Sequence, residues 1–494
     1  ADINNKFKKI VALQDKAIIF VNSTGNKVAK RKILSTIKEA KKNIENFSLE
    51  KELPTKLLSN TLVSKKMMKK QYHKKFDYHE YLLANGIRVA FKQMDYNKRR
   101  IEMKGFSEGG ISVYELNDLN DSRSASRFVN ISGAGEFSSV DLSKMLSGKQ
   151  VRVSTYIGMH REMINTSSEK KDIETMFELL YLKLTQPKID KVTAENTKQI
   201  MKYSIKQSER NPKVKFGREL ARFYGENHPR IIFDTEESVD ALSLDKMLHI
   251  FKDRYADMNS FSFVMVGDLA PEKIEPMLEK YLSNLPTLDR NESYVDRKMT
   301  YKKGKHKFVR FYNNRYISNI TITYKSKISY NLKTSMELTA FRGILSVRLR
   351  EYIREEKSGV YGVRVNVRLA RELEDEATFV VSFSCDPKRR DELISYVYQL
   401  IDEIKIKGVT QKELDVFYKK FKTSFEVQKK TPRYWMQTLY RTYAYGDNLE
   451  NLLAVDNIAK EITTSDISRV ANLLIQEDIL ETQLNPKDKE KDSK

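Results

Sequence analysis

An arginine and a tyrosine stand seven residues apart in REEKSGVYG, residues 354–362. Arg354 closes a long helical pattern and Tyr361 opens the strand-like VYGVRVNVRL. A guanidinium is a forked donor that stays charged at any working pH. A phenol hydroxyl can donate to a carbonyl oxygen as that oxygen gains charge. No nucleophile or metal ligand lies near them in sequence, so such a pair could assist a reaction but not carry one alone. On residue types alone, the two also read as a solvated helix-end arginine and a tyrosine packed on a sheet.

The other chemistry-bearing residues add no site. The six histidines are His73, His79, His160, His228, His249 and His306. None pairs with another at metal-ligand spacing on a helix. His79-Glu80 lacks the second histidine of an H-E-x-x-H motif. There is no G-x-S-x-G, phosphate-binding loop or dinucleotide fingerprint. SEGG, residues 107–110, reads as a glycine turn after a strand. Trp435 reads as a helix core anchor, Cys385 as buried filler, Arg350 as a solvated or ion-paired helix residue and Arg348 as a solvated one.

The 494 residues suffice for two to four domains. The net charge is +22, but Lys and Arg interleave with 67 acids throughout, and no nucleic-acid-binding motif accompanies them. Nucleic acid is therefore not an expected partner. One cysteine excludes an internal disulfide. No apolar run is long enough to span a membrane, and ADINNKFKKIVALQ lacks the apolar core of a leader.

The elements that must position the pair follow from periodicity. AIIFVN (17–22) reads as an isolated strand, followed by a polar helix and a lysine-rich linker. From Tyr78 the pattern becomes regular. Asn85-Gly86 between apolar runs predicts a hairpin with a type I′ turn. Strands at 99–107, 149–158 and 161–168 precede a run of helices, and SFSFVMVGD is a further strand. After the boundary segment TLDRNESYVDRKMTYKKGKH the order repeats. Gly225 and Gly446 lie 446 − 225 = 221 residues apart, and Asp245 and Asp466 are separated by 466 − 245 = 221. This spacing predicts a duplicated domain of about 200 residues. The fold expected is α+β: two tandem homologous domains, each a mainly antiparallel sheet with helices on one face. The boundaries expected are 1–77 for the end of a preceding domain plus linker, 78–288 and 305–480 for the two repeats, and 481–494 for a disordered tail.

GFSEGGISVYELNDLNDSRSASRFVNISGAG resembles a domain of the pitrilysin/insulinase metallopeptidase family. There a strand ending in Gly-Gly leads to a helix bearing H-x-x-E-H, the inverted zinc motif. On this chain the motif falls on Ser126, Val129 and Asn130, none of which can replace its counterpart. The resemblance is therefore to the family's non-zinc half, closest to the C-terminal halves of bacterial pyrroloquinoline-quinone-gene-associated zinc proteases.

The resemblance implies a half that binds no metal and closes a chamber against a zinc-bearing half, in the same polypeptide or a separate subunit. Arg354 and Tyr361 would reach across to hold the substrate backbone and stabilise the developing oxyanion. Zinc would sit on the partner half, peptides would be the substrates, and this chain alone would be inactive. A periplasmic or envelope location would follow if a signal lies upstream. The family also contains inactive members that serve as structural subunits of larger complexes, which is the alternative reading.

Overall fold

The computed structural model describes residues 5–6, 9, 29–42, 53–95, 100–356, 360–371 and 375–487; for residues 40–42, 354–356, 360 and 361 it describes the backbone alone. The chain divides into two units, Ala1–Pro54 and Thr55–Lys494. The first contributes the helix Lys30–Lys42, and the strand expected at 17–22 lies outside the described residues.

The second unit is built on two sheets. Seven strands form the first: β1 (Lys69–His73), β2 (Tyr78–Leu82), β3 (Arg88–Gln93), β4 (Arg100–Glu108), β5 (Val151–Ile157), β6 (Arg161–Glu169) and β7 (Ser262–Gly267), in the order β1-β2-β3-β7-β4-β6-β5. Five strands form the second: β8 (Lys305–Asn313), β9 (Ser318–Lys327), β10 (Val360–Leu369), β11 (Glu376–Cys385) and β12 (Asp478–Pro486), in the order β10-β11-β9-β12-β8. The second order, reversed, is the order β3-β7-β4-β6-β5 of the first. In both, the first and last strands of the repeat pair in parallel, and the other pairs of this five-stranded core are antiparallel. The duplication read from the sequence is thus repeated in the strand order, and the α+β class holds.

Alternation dictates the layering. β9 and β11 bury every second residue, the pattern of a strand with one face packed on a core. Phe91, Met103, Phe128, Phe177 and Phe251 form the helix-side core of the first sheet. Ile320, Ile322, Phe341, Phe379 and Ile401 form that of the second. Helix starts are written locally: Thr410 and Glu413 make a reciprocal capping box at Gln411–Gln428, and Asn211 caps a helix beginning at Pro212.

Each repeat lends one helix to the other's sheet. Helix Pro432–Tyr445 places Trp435, Met436 and Leu439 on Ala90, Phe106, Val264 and Val266, on the first sheet's helix-free face. Helix Pro212–Tyr224 places Phe216 and Phe223 against Phe308 of β8, with ring centroids 5.3 and 5.2 Å apart. Trp435 is a core anchor, as expected, but the core it anchors lies between the repeats.

Three expectations are corrected. The segment read as linker up to residue 77 contains β1, which pairs with β2, and Leu57 is buried in the first core. Residues 481–486, read as part of a charged tail, belong to β12, which lies inside the second sheet between β8 and β9. Its parallel partner β8 lies about 170 residues earlier, so no local signal marks the pairing. At Asn85-Gly86 the loop is Ala84–Gly86 and Gly86 has φ +85°, while Asn85 keeps a negative φ. This is a three-residue hairpin. Asn85 Nδ2 instead donates to the carbonyls of Leu282 and Leu285.

Candidate functional site

The Arg354–Tyr361 junction is where both elements depart from regular geometry. Helix Leu332–Leu349 starts at Asn331, whose side chain accepts from Thr334 N at 2.8 Å, and buries Leu338, Phe341, Leu345 and Leu349. From Arg350 to Glu356 it widens into π-helical turns, with Ile353 fully buried. Arg354 lies in this widened stretch. β10 then starts with a bulge: Val360 pairs with Cys385 but Val363 with Phe383, three steps against two. Tyr361 lies inside that bulge, on an edge strand. Wide turns and bulges of this kind re-aim side chains and recur beside functional sites. The side chains of Arg354 and Tyr361 lie outside the described residues. Gly362 is exposed, and a Cβ there would meet nothing within 4 Å. The bulge, and not Gly362, therefore redirects the chain; Gly359 lies outside the described residues.

Arg348, expected to be solvated, is only partly exposed and is ion-paired. Its Nε and Nη2 lie 2.5 and 2.7 Å from the two carboxylate oxygens of Glu413. That ion pair, with Thr410 donating to the same carboxylate, holds the Glu413 carboxyl down at about 2. Arg350 is exposed.

Ser126, Val129 and Asn130 lie on helix Leu119–Ile131, the first repeat's counterpart of Leu332–Leu349. Ser126 is buried and Val129 belongs to the core. The Asn130 amide donates to Thr155 O at 2.7 Å, and its Oδ1 accepts from Thr155 N at 3.0 Å and Oγ1 at 3.1 Å. Thr155 is on β5, an edge strand, so Asn130 fills the hydrogen-bonding positions a further strand would use. Lys183 Nζ donates to Asn130 O at 3.1 Å, and burial lowers that ammonium to about 8. Val129 offers no donor atom, the Asn130 amide is committed, and a buried ammonium adjoins it. These residues do not fit a divalent metal. No group of three His, Cys, Asp or Glu among the described residues is placed to hold one.

SEGG does more than turn. Gly110 has φ +65°, and a Cβ there would fall 2.4 Å from Gly158 O. Its N–H donates to Glu162 Oε1 at 2.7 Å. Arg254 Nη1 lies 3.5 Å from Glu162 and 2.8 Å from Glu292, and its Nη2 lies 2.7 Å from Asp253. Burial pushes the Glu162 carboxyl up to about 7 against the pull of Arg254 and the Gly110 N–H. Glu292 sits in the segment between the repeats, which Arg297 also fastens by donating to Ser112 O and Tyr114 O. This network was missed from sequence because its members, Gly110, Glu162, Arg254 and Glu292, lie far apart along the chain. The histidines hold structural posts: His160 packs on Tyr294, His73 stacks on Tyr78, and His228 Nδ1 accepts from Arg230 N. Cys385 is buried, and its thiol is pushed up to about 11.

Two repeats of one strand order, the first without fitting metal ligands among the described residues, are the frame against which known proteins can be compared. The family profile described as Peptidase M16 inactive domain matches residues 241–417. The resemblance drawn from the sequence therefore holds, with the match falling across the end of the first repeat and the first half of the second. The probable zinc protease PqqL of Escherichia coli K12 is 21% identical over 393 residues, 78% of this chain and 41% of that protein. The crystal structure of the periplasmic protease PqqL from Escherichia coli superposes with a TM-score of 0.77 at 18% identity, covering 93% of this chain and 51% of that one. A mutant of the ferredoxin protease FusC, solved in complex with Arabidopsis ferredoxin, gives 0.77 at 17% identity, over 94% and 52%. The chain thus spans about half the length of the relatives it matches. No described helix is long and apolar enough to cross a membrane.

Proposed function

We propose that this chain is the non-zinc half of an M16-type metallopeptidase and completes a peptide-hydrolysing site whose metal lies on another half. That half, in the same polypeptide or a separate subunit, would carry the zinc and the water-activating carboxylate. This chain closes the chamber from the opposite side. Arg354 holds the peptide backbone, and Tyr361 donates to the scissile carbonyl oxygen as it gains charge. The observation that carries this reading is the coincidence of a π-helical turn at Arg354 with a β-bulge at Tyr361. The likeness to a protease named as periplasmic supports an exported location. The degenerate motif around Asn130 supports inactivity of the chain alone.

The experiment is reconstitution. This chain and a zinc-bearing half, alone and mixed, are assayed on a fluorogenic peptide library. Activity is expected only in the mixture. Arg354→Ala and Tyr361→Phe should each lower kcat by about a hundredfold, the usual cost of losing one oxyanion donor. A stable but inactive complex, or full activity in both variants, would instead support a structural subunit.

A further inference from the structure

Along β10 the side chains alternate. Val363, Val365, Val367 and Leu369 pack into the helix-side core. Arg364, Asn366 and Arg368 are exposed on the opposite, open face. In register across that face, Arg364 stands beside Ser382 and then Thr321, and Arg368 beside Thr378 and then Lys325. The nearest acids of that face, Glu376 and Asp478, are taken by Lys325 at 2.9 Å and Lys303 at 3.4 Å.

Neither arginine has a carboxylate partner among the described residues, whereas other cations of this repeat are taken. Arg348 pairs with Glu413, Arg371 and Arg441 share Asp447, and Arg310 pairs with Glu219. The Arg368 row leads to a cavity of about 730 Å³ whose lining holds Lys303, Lys325 and Lys327 but also Glu376 and Asp296.

The edge itself is open. In the first repeat, Asn130 occupies the outer hydrogen-bonding groups of β5 at Thr155. Among the described residues nothing comparable bonds the outer groups of β10 between Val363 and Arg368. An extended peptide can therefore add there as a strand. Its residues i and i+4 would face the same side, about 13 Å apart, the spacing of Arg364 and Arg368. Arg364 lies about 10 Å along the strand from Tyr361.

We propose that β10 and the open face beside it form a binding surface for extended acidic peptide segments, with Arg364 and Arg368 reading carboxylates at alternate or fourth positions. This rests on the peptidase-half reading and names its substrate class. The two guanidiniums fork onto carboxylates while the neighbouring hydroxyls of Ser382, Thr378 and Thr321 tolerate or donate to the anion.

The test is fluorescence anisotropy on this chain alone, with a labelled ten-residue extended peptide carrying two Glu at i and i+4. The same peptide with Gln or Lys at both positions serves for comparison. The Glu peptide should bind at least about tenfold more tightly than the Gln peptide, the worth of a charged hydrogen bond. The double variant R364A/R368A should abolish the preference, and R364E/R368E should reverse it towards Lys. K419A/K420A, which removes the same charge from an exposed helix, should leave it intact and so separates a built site from attraction to a +22 chain. Equal binding of all three peptides, no binding of any, or a preference that survives R364E/R368E overturns the proposal. Hydrolysis in the reconstituted enzyme without a charge preference would overturn it while leaving the peptidase reading intact. Acidic-peptide binding without hydrolysis in any mixture would do the converse.

Discussion

Phe216 meets Phe308 edge to face with ring centroids 5.3 Å apart, although one lies on a helix of the first repeat and the other on a strand of the second sheet. The reciprocal contact is Trp435, from the second repeat, against the first sheet, where Lys92 Nζ also lies 4.2 Å from the indole centroid. Neither sheet's open face is dry without the other repeat. The two repeats should therefore unfold together, because separating them exposes both aromatic clusters at once.

Trp435→Ala tests this coupling. The side chain is 9% exposed, and its Nε1 donates to Lys429 O at 3.0 Å. Removing a buried aromatic of this size typically costs about 3–5 kcal/mol. Urea unfolding followed by circular dichroism should show one transition moved to lower denaturant. Two separate transitions, with the first sheet melting at its original midpoint, would show that the exchanged helices do not couple the repeats.

Much of the fold was legible because its signals are local or periodic. Gly225 and Gly446 each end a helix that packs on the other repeat's sheet, so their 221-residue spacing carried the duplication. What stayed hidden depends on distant partners. β12 needed β8 and β9 to become a strand, and its last residues abut the charged segment KDKEKDSK. Arg348 found Glu413 65 residues away. Glu162 drew no notice because its burial is created by Arg254 and the Gly110 loop. The Arg354–Tyr361 junction was legible as a helix end and strand start, but the π turn and the bulge were not, since each is a shift of register without a residue signature.

Glu162 makes a pH prediction. Its folded value, about 7, lies above the ordinary 4.5. The folded state therefore binds the proton more tightly than the unfolded chain. The contribution is fully present below pH 4.5, declines as pH rises towards 7, and is flat above it. The span is at most about 3 kcal/mol. Glu162→Gln keeps an acceptor for the Gly110 N–H but cannot titrate. Denaturation midpoints from pH 4.5 to 7.5 should fall in the parent relative to the variant. Parallel curves would mean that Arg254 keeps Glu162 ionised throughout.

Asn130→His restores a residue type of the zinc motif at its place but removes the clamp on β5. Two bonds to the Thr155 backbone are lost, and those buried groups stay unpaired. A cost of about 2 kcal/mol is expected. The triple change Ser126→His, Val129→Glu, Asn130→His should lower Tm further and still show no zinc binding by calorimetry, since Lys183 places an ammonium at the Asn130 carbonyl. A zinc isotherm with a rise in Tm would show that the motif's residues alone separate this repeat from a metal-binding one.

Arg348 and Glu413 fasten the helix that carries Arg354 to the start of helix Gln411–Gln428. The carboxyl of Glu413 sits at about 2, below the ordinary 4.5. Its stabilisation is therefore present above pH 4.5 and is lost as pH falls towards 2. Both side chains are partly solvated, so screening reduces the pair to about 1 kcal/mol. Arg348→Met should show that loss at pH 7 and almost none at pH 2.5. The π turn begins two residues after Arg348, so loosening this anchor should also disturb the placement of Arg354. In a reconstituted enzyme, Arg348→Met should then raise KM and lower kcat by a few fold, while Glu413→Gln, which keeps the cap at Thr410, should do less. A loss of stability with unchanged kinetics would confine the pair to the fold and detach it from the site.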